Sequence, residues 1–91
     1  MDEAFRVKSV ILQNVRAVLN KYAVDLAKLR FSCPNGIVEL YGHLQKVPRG
    51  LFSPSAVIAL SRELLVLPYV RDVVFRLEDW DVSPGLTAAH K

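Results

Sequence analysis

The sequence predicts an α+β protein: a two-layer sandwich of the order α-β-β-α-β, in which two helices cover one face of a three-stranded mixed sheet. Apolar residues recur every three or four positions in two segments and alternate with polar residues in three others. The 91 residues, 52% of them hydrophobic, suffice for a single core. We therefore expect one domain over residues 1–82 and a flexible C-terminal tail over residues 83–91.

Two segments have the spacing of a helix with one buried side. The first carries an apolar stripe made of Val7, Val10, Ile11, Val15, Val18, Leu19 and Tyr22. In the second, the Ser53 hydroxyl is suited to cap the helix N-terminus, and Pro54 suits the first helical position. Its apolar residues are Val57, Leu60, Leu64 and Leu67. Pro68 ends this helix because proline cannot continue the hydrogen-bond pattern.

Three segments alternate as strands do when one side is covered. Residues 27–33 place Ala27, Leu29, Phe31 and Cys33 on one side. The turn sequence Pro34-Asn35-Gly36 then predicts an antiparallel partner whose inward residues are Val38, Leu40, Gly42 and Leu44. Because Gly42 has no side chain to pack, we expect a covering helix to approach it closely. Residues 70–77 form the third strand.

The element order and the second-strand pattern together resemble the BON domain, a bacterial module. The matching second-strand residues are Gly36, Val38, Leu40, Gly42 and Leu44, and the small or apolar residues that follow are Ala56, Ala59, Val66, Val70, Val73 and Leu77. The similarity covers residues 10–77, with Tyr69 where the family usually has glycine. It implies structural roles for Gly36, Val38, Leu40, Gly42, Val70 and Val73. For function, it implies phospholipid or membrane-associated binding, or an accessory role in an assembly, without catalysis.

The residues themselves offer little catalytic chemistry. Cys33 is the only cysteine, and His43 and His90 are the only histidines, so neither a disulfide nor a zinc site is expected. No phosphate-binding loop, nucleophile elbow or zinc-protease helix motif is present. The acidic residues Asp72, Glu78, Asp79 and Asp81 are expected to be solvated. We expect a non-enzymatic protein with no cofactor and no metal.

Two surfaces are candidate binding sites. The open sheet face mixes basic and aromatic residues, namely Lys28, Arg30, Tyr41, His43 and Arg76, with Glu39 and Val74. It suggests a homodimer contact or, as the alternative function, RNA binding. The loop over residues 46–52 sets Leu51 and Phe52 beside the cations Lys46 and Arg49, as a membrane or a partner's groove requires. Alternatively, Leu51 and Phe52 fold back as a hydrophobic staple.

Charge and targeting signals narrow the partners. The net charge is +3, and residues 1–50 hold eight basic residues against four acidic ones, which favours an acidic partner surface. The acidic N-terminus does not resemble a signal peptide, and no apolar run reaches the roughly 18 residues of a membrane span. We expect a cytoplasmic protein, without a transmembrane segment, that binds a protein or an anionic lipid surface rather than nucleic acid.

Overall fold

The computed structural model describes residues 3–47, 50–83 and 86–89. Its elements are α1 (Glu3–Lys21), β1 (Leu29–Ser32), β2 (Ile37–Gly42), α2 (Pro54–Leu65), β3 (Asp72–Leu77), β4 (Trp80–Ser83) and β5 (Leu86–Ala89). The sheet order is β1-β2-β3, with β2 antiparallel to β1 and parallel to β3. The predicted α+β class, the order α-β-β-α-β and the three-stranded mixed sheet are confirmed. A separate hairpin of β4 and β5 follows.

Local sequence signals set the ends of both helices. At the end of α1, Ala23 has φ of 58°, and the Val24 N–H donates to the Leu19 carbonyl at 3.0 Å. A left-handed residue followed by this hydrogen bond is a common helix C-terminus, in which the left-handed position is usually glycine. At the start of α2, the Ser53 hydroxyl accepts a hydrogen bond from the Ala56 N–H at 3.1 Å. The predicted cap and the proline at the first position of α2 are therefore confirmed.

The core lies between the helices and one side of the sheet. Its fully buried members are Ile11, Val15 and Leu19 from α1, Val38, Leu40 and Leu44 from β2 and its extension, and Val57, Leu60 and Leu64 from α2. Val70 and Val73 pack against this cluster, as their predicted structural role requires. Val10 does not belong to it, because it lies about 100° around the helix from Ile11 and is exposed. Ala27 is also exposed, since β1 begins only at Leu29.

Gly36 and Gly42 both have positive φ, at 80° and 100°. A Cβ on Gly42 would lie 2.5 Å from the carbonyl oxygen of Lys28, which accepts the His43 N–H at 3.0 Å. The expectation that a covering helix approaches Gly42 is therefore wrong. The close neighbour is the backbone that leads into β1, and it leaves no space for a side chain.

The β4–β5 hairpin occupies part of the segment that we expected to be a tail. Trp80 at its start is buried in the core cluster, and β5 lies against α2. The Asp79 carboxylate accepts the Leu44 N–H at 3.0 and 3.1 Å, so Asp79 is not merely solvated but joins the hairpin to the extension of β2. Strands of four residues are too short for an alternating pattern to stand out in the sequence.

Candidate functional site

The open side of the sheet holds the first predicted group of site residues. The strand registers place Arg30, Tyr41 and Arg76 side by side in one row across the sheet. Ser32, Glu39 and Val74 form the next row. The shared face that the alternation predicted is therefore present.

Hydrogen bonds on this face converge on Glu39. The Tyr41 hydroxyl donates to Glu39 Oε1 at 3.1 Å and lies 3.1 Å from the Ser32 hydroxyl, while Arg76 Nε donates to Glu39 Oε2 at 3.4 Å. Arg30 is exposed and makes no hydrogen bond or ion pair with the described residues. The centre of the face is thus occupied by contacts among its own side chains.

The ends of the open face carry as much acid as base. Lys28 Nζ donates to Gln45 Oε1 at 2.9 Å, and His43 Nδ1 lies 3.5 Å from Glu78 Oε2. On the open face as a whole, the positive charges of Lys28, Arg30 and Arg76 are balanced by the negative charges of Glu39, Asp72 and Glu78. A sheet that binds RNA needs a surplus of positive charge against the phosphates. The structure therefore gives this alternative no support.

The second predicted site, the loop over residues 46–52, is divided by the fold. Leu51 is 83% exposed, whereas Phe52 is 4% exposed and belongs to the core. Phe52 directly precedes the Ser53 cap and Val57 is the fourth helical residue, which is the arrangement of a hydrophobic staple. Phe52 is therefore not available to a ligand. Arg49 lies outside the described residues.

Lys46 is also partly engaged within the loop. The side-chain Nζ of Lys46 lies 5.2 Å from the centre of the Phe52 ring, within the range of a cation–π contact. The backbone N–H of Lys46 donates to the Gly50 carbonyl at 3.2 Å. Val47, the next residue, is exposed. Of the two apolar residues predicted to reach a membrane, only Leu51 is exposed.

Sequence reasoning missed the outer side of α2. Seven large hydrophobic side chains are exposed in the described part of the chain, and five of them lie between residues 51 and 69. Together with Arg62 they form what we name the outer stripe, which comprises Leu51, Ile58, Arg62, Leu65, Val66 and Tyr69. Isolated exposed apolar residues are ordinary, but five of them within residues 51–69 make this segment a candidate binding surface. The sequence did contain a sign of this surface. Val57, Leu60 and Leu64 already supply the buried side of α2, so Ile58, Leu65 and Val66 are apolar residues beyond those that the core requires.

The segment of the chain that carries the outer stripe has no unpaired acidic residue. Within residues 50–71 the single acidic residue is Glu63, whose carboxylate accepts hydrogen bonds from Lys21 Nζ at 2.8 Å and from the Tyr22 hydroxyl. These bonds hold the pKa of Glu63 below its usual value. The same bonds to Glu63 raise the pKa of Lys21 and of Tyr22. Glu63 thus ties α2 to the end of α1 as a paired anion.

Charge is divided between the two layers. The two helices hold five basic residues, Arg6, Lys8, Arg16, Lys21 and Arg62, against the acidic residues Glu3 and Glu63. Residues 72–83 hold one basic residue, Arg76, against Asp72, Glu78, Asp79 and Asp81. The helical layer is therefore positive and the segment of β3 and β4 is negative, which gives the domain a preferred orientation toward an anionic surface.

Tyr69 combines exposure with an unfavourable backbone. Its φ is 67°, in the left-handed region that favours glycine, and its side chain is 63% exposed. This conformation costs a bulky residue about 1–2 kcal/mol. An exposed aromatic residue kept at that cost is a candidate for contact with a partner.

No metal or reactive-thiol chemistry emerges from the described residues. They contain no group of three His, Cys, Asp or Glu side chains arranged to hold a metal ion. Cys33 is buried, and burial raises the pKa of its thiol. In the part of the chain that the structure describes, no helix combines the length and apolar character needed to cross a bilayer. A comparison of the sequence with protein-family models and with curated proteins finds no match.

Proposed function

We propose that this chain is a non-enzymatic, BON-like binding module whose ligand is an anionic phospholipid surface. The outer stripe makes the contact, and the helical layer faces the lipid. The observation that carries this proposal is the row of exposed apolar side chains from Leu51 to Tyr69 on the positively charged layer of the domain.

The chemistry of the stripe suits the boundary between headgroups and acyl chains. Leu51 and Val66 protrude most, at 83% and 80% exposure, so they can enter the apolar region without any change in the fold. Tyr69 has an apolar ring and a polar hydroxyl, which suits the headgroup level. Arg62 lies among these residues and reaches phosphate with its long side chain. Apolar insertion and attraction to anionic lipid then act together.

The orientation follows from the charge of the layers. The cations of α1, among them Arg6 and Arg16, are exposed on the same layer and meet the headgroups around the stripe. The acidic residues Asp72, Glu78, Asp79 and Asp81 belong to the segment of β3 and β4 and not to the helices. With the opposite orientation, the open sheet face would offer an anionic membrane no surplus of positive charge, because Glu39, Asp72 and Glu78 offset its basic residues.

Vesicle co-sedimentation tests this proposal, with neutral phosphatidylcholine vesicles compared with vesicles that also contain phosphatidylserine. We expect the wild-type chain to pellet with the anionic vesicles. The double variant Leu51→Ser/Val66→Ser should bind them at least about tenfold more weakly, because it removes the two most exposed apolar side chains of the stripe. Both side chains are at least 80% exposed, so the thermal unfolding of the double variant should remain close to that of the wild type.

The control variant is Val10→Ser, which removes an exposed valine on α1 outside the stripe. It should retain binding to anionic vesicles. A wild-type chain that stays in the supernatant with both kinds of vesicle contradicts the lipid proposal and leaves a protein as the ligand of the stripe. Equal loss in Val10→Ser and in the double variant contradicts the assignment to the outer stripe.

A further inference from the structure

The strand β3 is an edge of the sheet and has features of an interface. In the order β1-β2-β3, only β2 pairs with it among the described strands. An unpaired edge invites another strand unless lysine, proline or a bulge protects it. The sequence Asp72-Val-Val-Phe-Arg-Leu77 contains neither lysine nor proline, and Val73, Val74 and Phe75 are only half-buried.

The hydrogen-bond pattern determines which backbone groups of β3 point outward. In a parallel pair, alternate residues direct both of their backbone groups to the same neighbour. The Glu78 N–H donates to Gly42, so the even-numbered residues face β2, and Val73 and Phe75 point to the free edge. In agreement, the Val73 N–H is bonded to the Asp72 carboxylate at 2.8 Å and not to β2.

The sequence of β3 is complementary to itself in an antiparallel arrangement. In an antiparallel pair of strands, two residues that lie directly opposite each other share a face of the sheet, so both have even numbers or both have odd numbers. In a pair of identical strands, the twofold axis perpendicular to the sheet therefore lies level with a residue and not between two residues. An axis at Val74 sets Val73 opposite Phe75 of the second copy on the helix side, and their outward backbone groups then bond to each other. On the open side it sets Asp72 opposite Arg76 of the second copy, and this oppositely charged pair forms twice by symmetry.

Charge also selects this register over the neighbouring one. An axis at Phe75 satisfies the same hydrogen-bond rule, but it sets Asp72 opposite Glu78 of the second copy. Two like charges then face each other on both sides of the axis, which is unfavourable. Only the axis at Val74 matches the hydrogen-bond pattern, the faces and the charges together.

We infer that two copies of this chain pair antiparallel through β3 and join their three-stranded sheets into one of six strands. Asp72 acts as a latch: in the single chain it covers the Val73 N–H, and in the dimer it releases that group and pairs with Arg76 of the second copy. The axis is perpendicular to the sheet, so both helical layers lie on the same side. The dimer therefore presents two outer stripes to one surface, although its formation does not depend on lipid.

A charge exchange tests this inference by sedimentation velocity over a series of protein concentrations. The wild-type chain should dimerise. Asp72→Arg and Arg76→Asp should each weaken dimerisation at least about tenfold, because each places like charges opposite one another across the axis. The double variant Asp72→Arg/Arg76→Asp restores opposite charges and should dimerise again. Circular dichroism confirms that the variants remain folded.

Hydrogen exchange identifies the surface independently. The Phe75 amide points to the free edge, so its exchange should slow as the protein concentration rises, whereas the Val74 amide, bonded to β2, should not respond. A monomeric wild type overturns the inference, as does a double variant no more dimeric than the single variants. A dimer that is insensitive to Asp72→Arg, with no protection at Phe75, assigns the contact to another surface, such as the open sheet face, and also overturns it.

Discussion

The two helices cover the same sheet but differ on their outer sides. Both bury three residues completely on the inner side, Ile11, Val15 and Leu19 for α1 and Val57, Leu60 and Leu64 for α2. The outer side of α1 is mainly polar, with Arg6, Gln13, Arg16 and Asn20 exposed around the single valine Val10. The outer side of α2 carries Ile58, Leu65 and Val66 around Arg62. The fold explains both inner sides and the outer side of α1.

The outer side of α2 is not needed for the fold. A helix at the surface of a globular domain ordinarily has polar residues there, and a helix that is apolar on more than one side is covered by something. Since Ile58, Leu65 and Val66 remain exposed in the described structure, a partner surface is the physical reason for the composition of this side. Substitutions that leave the core intact but change this side are therefore the way to separate folding from binding.

The sharpest contrast is between two adjacent leucines of α2. Leu64 is fully buried and Leu65 is 45% exposed, so the same substitution probes the two sides. Leu64→Ala should lower the free energy of unfolding by about 2–5 kcal/mol, because it leaves a cavity in the core. Leu65→Ala should change it by no more than about 0.5 kcal/mol but weaken vesicle binding. Urea unfolding and vesicle co-sedimentation of both variants measure the difference, and equal destabilisation would refute the distinction.

The start of α2 should matter next. Ser53→Ala removes the hydroxyl that accepts the Ala56 N–H, and we expect a loss of about 1 kcal/mol in the free energy of unfolding. Ser55→Ala, an exposed serine in the first turn of the same helix, should have less effect. Chemical unfolding of the two variants checks this ranking. Equal effects would mean that the cap does not hold the helix start.

Tyr69 should lower the stability of the fold and strengthen vesicle binding. Tyr69→Gly relieves the positive φ, and we expect a gain of about 0.5–1 kcal/mol in the free energy of unfolding together with weaker vesicle binding. Tyr69→Ala removes the same ring but keeps the unfavourable backbone, so it should weaken binding without that gain. A Tyr69→Gly variant that binds vesicles as the wild type does would remove Tyr69 from the binding surface.

The smallest expected effect concerns the link between the helices. The pKa of Glu63 is lowered by its bonds to Lys21 and Tyr22, so its stabilising contribution is present above the ordinary glutamate pKa of 4.5 and is lost as the pH falls through the lowered pKa. Glu63→Gln should therefore be less stable than the wild type at neutral pH, and the difference should disappear in acid. Thermal unfolding at several pH values measures this. A difference that persists unchanged in acid would contradict the ion pair.

Local patterns in the sequence predicted most of the fold. The three-and-four spacing, the Ser53-Pro54 helix start and the Pro34-Asn35-Gly36 turn are signals within a few residues, and all three are confirmed. The hairpin of β4 and β5 was missed because its strands are short and its support is distant. The bond from the Leu44 N–H to Asp79 joins residues 35 positions apart.

The candidate site was only partly predictable. Alternation correctly grouped Arg30, Tyr41 and Arg76, but it could not show that Glu39 occupies the centre of their face. Phe52 and Leu51 are adjacent apolar residues that the sequence treats alike, and the helix cap buries one of them. The apolar residues Leu65 and Val66 directly follow Leu64 and read as the end of a buried stripe, although their positions around the helix axis point them outward.

Nitroxide depth measurements test most directly whether the outer side of α2 enters the membrane. A spin label is attached to Val66→Cys or, for comparison, to Gln13→Cys on the outer side of α1. Cys33 is buried and the pKa of its thiol is raised, so the label goes to the introduced residue. With anionic vesicles, we predict that the label at position 66 becomes shielded from a water-soluble relaxation agent while the label at position 13 remains accessible. Unchanged accessibility at position 66 would contradict the account.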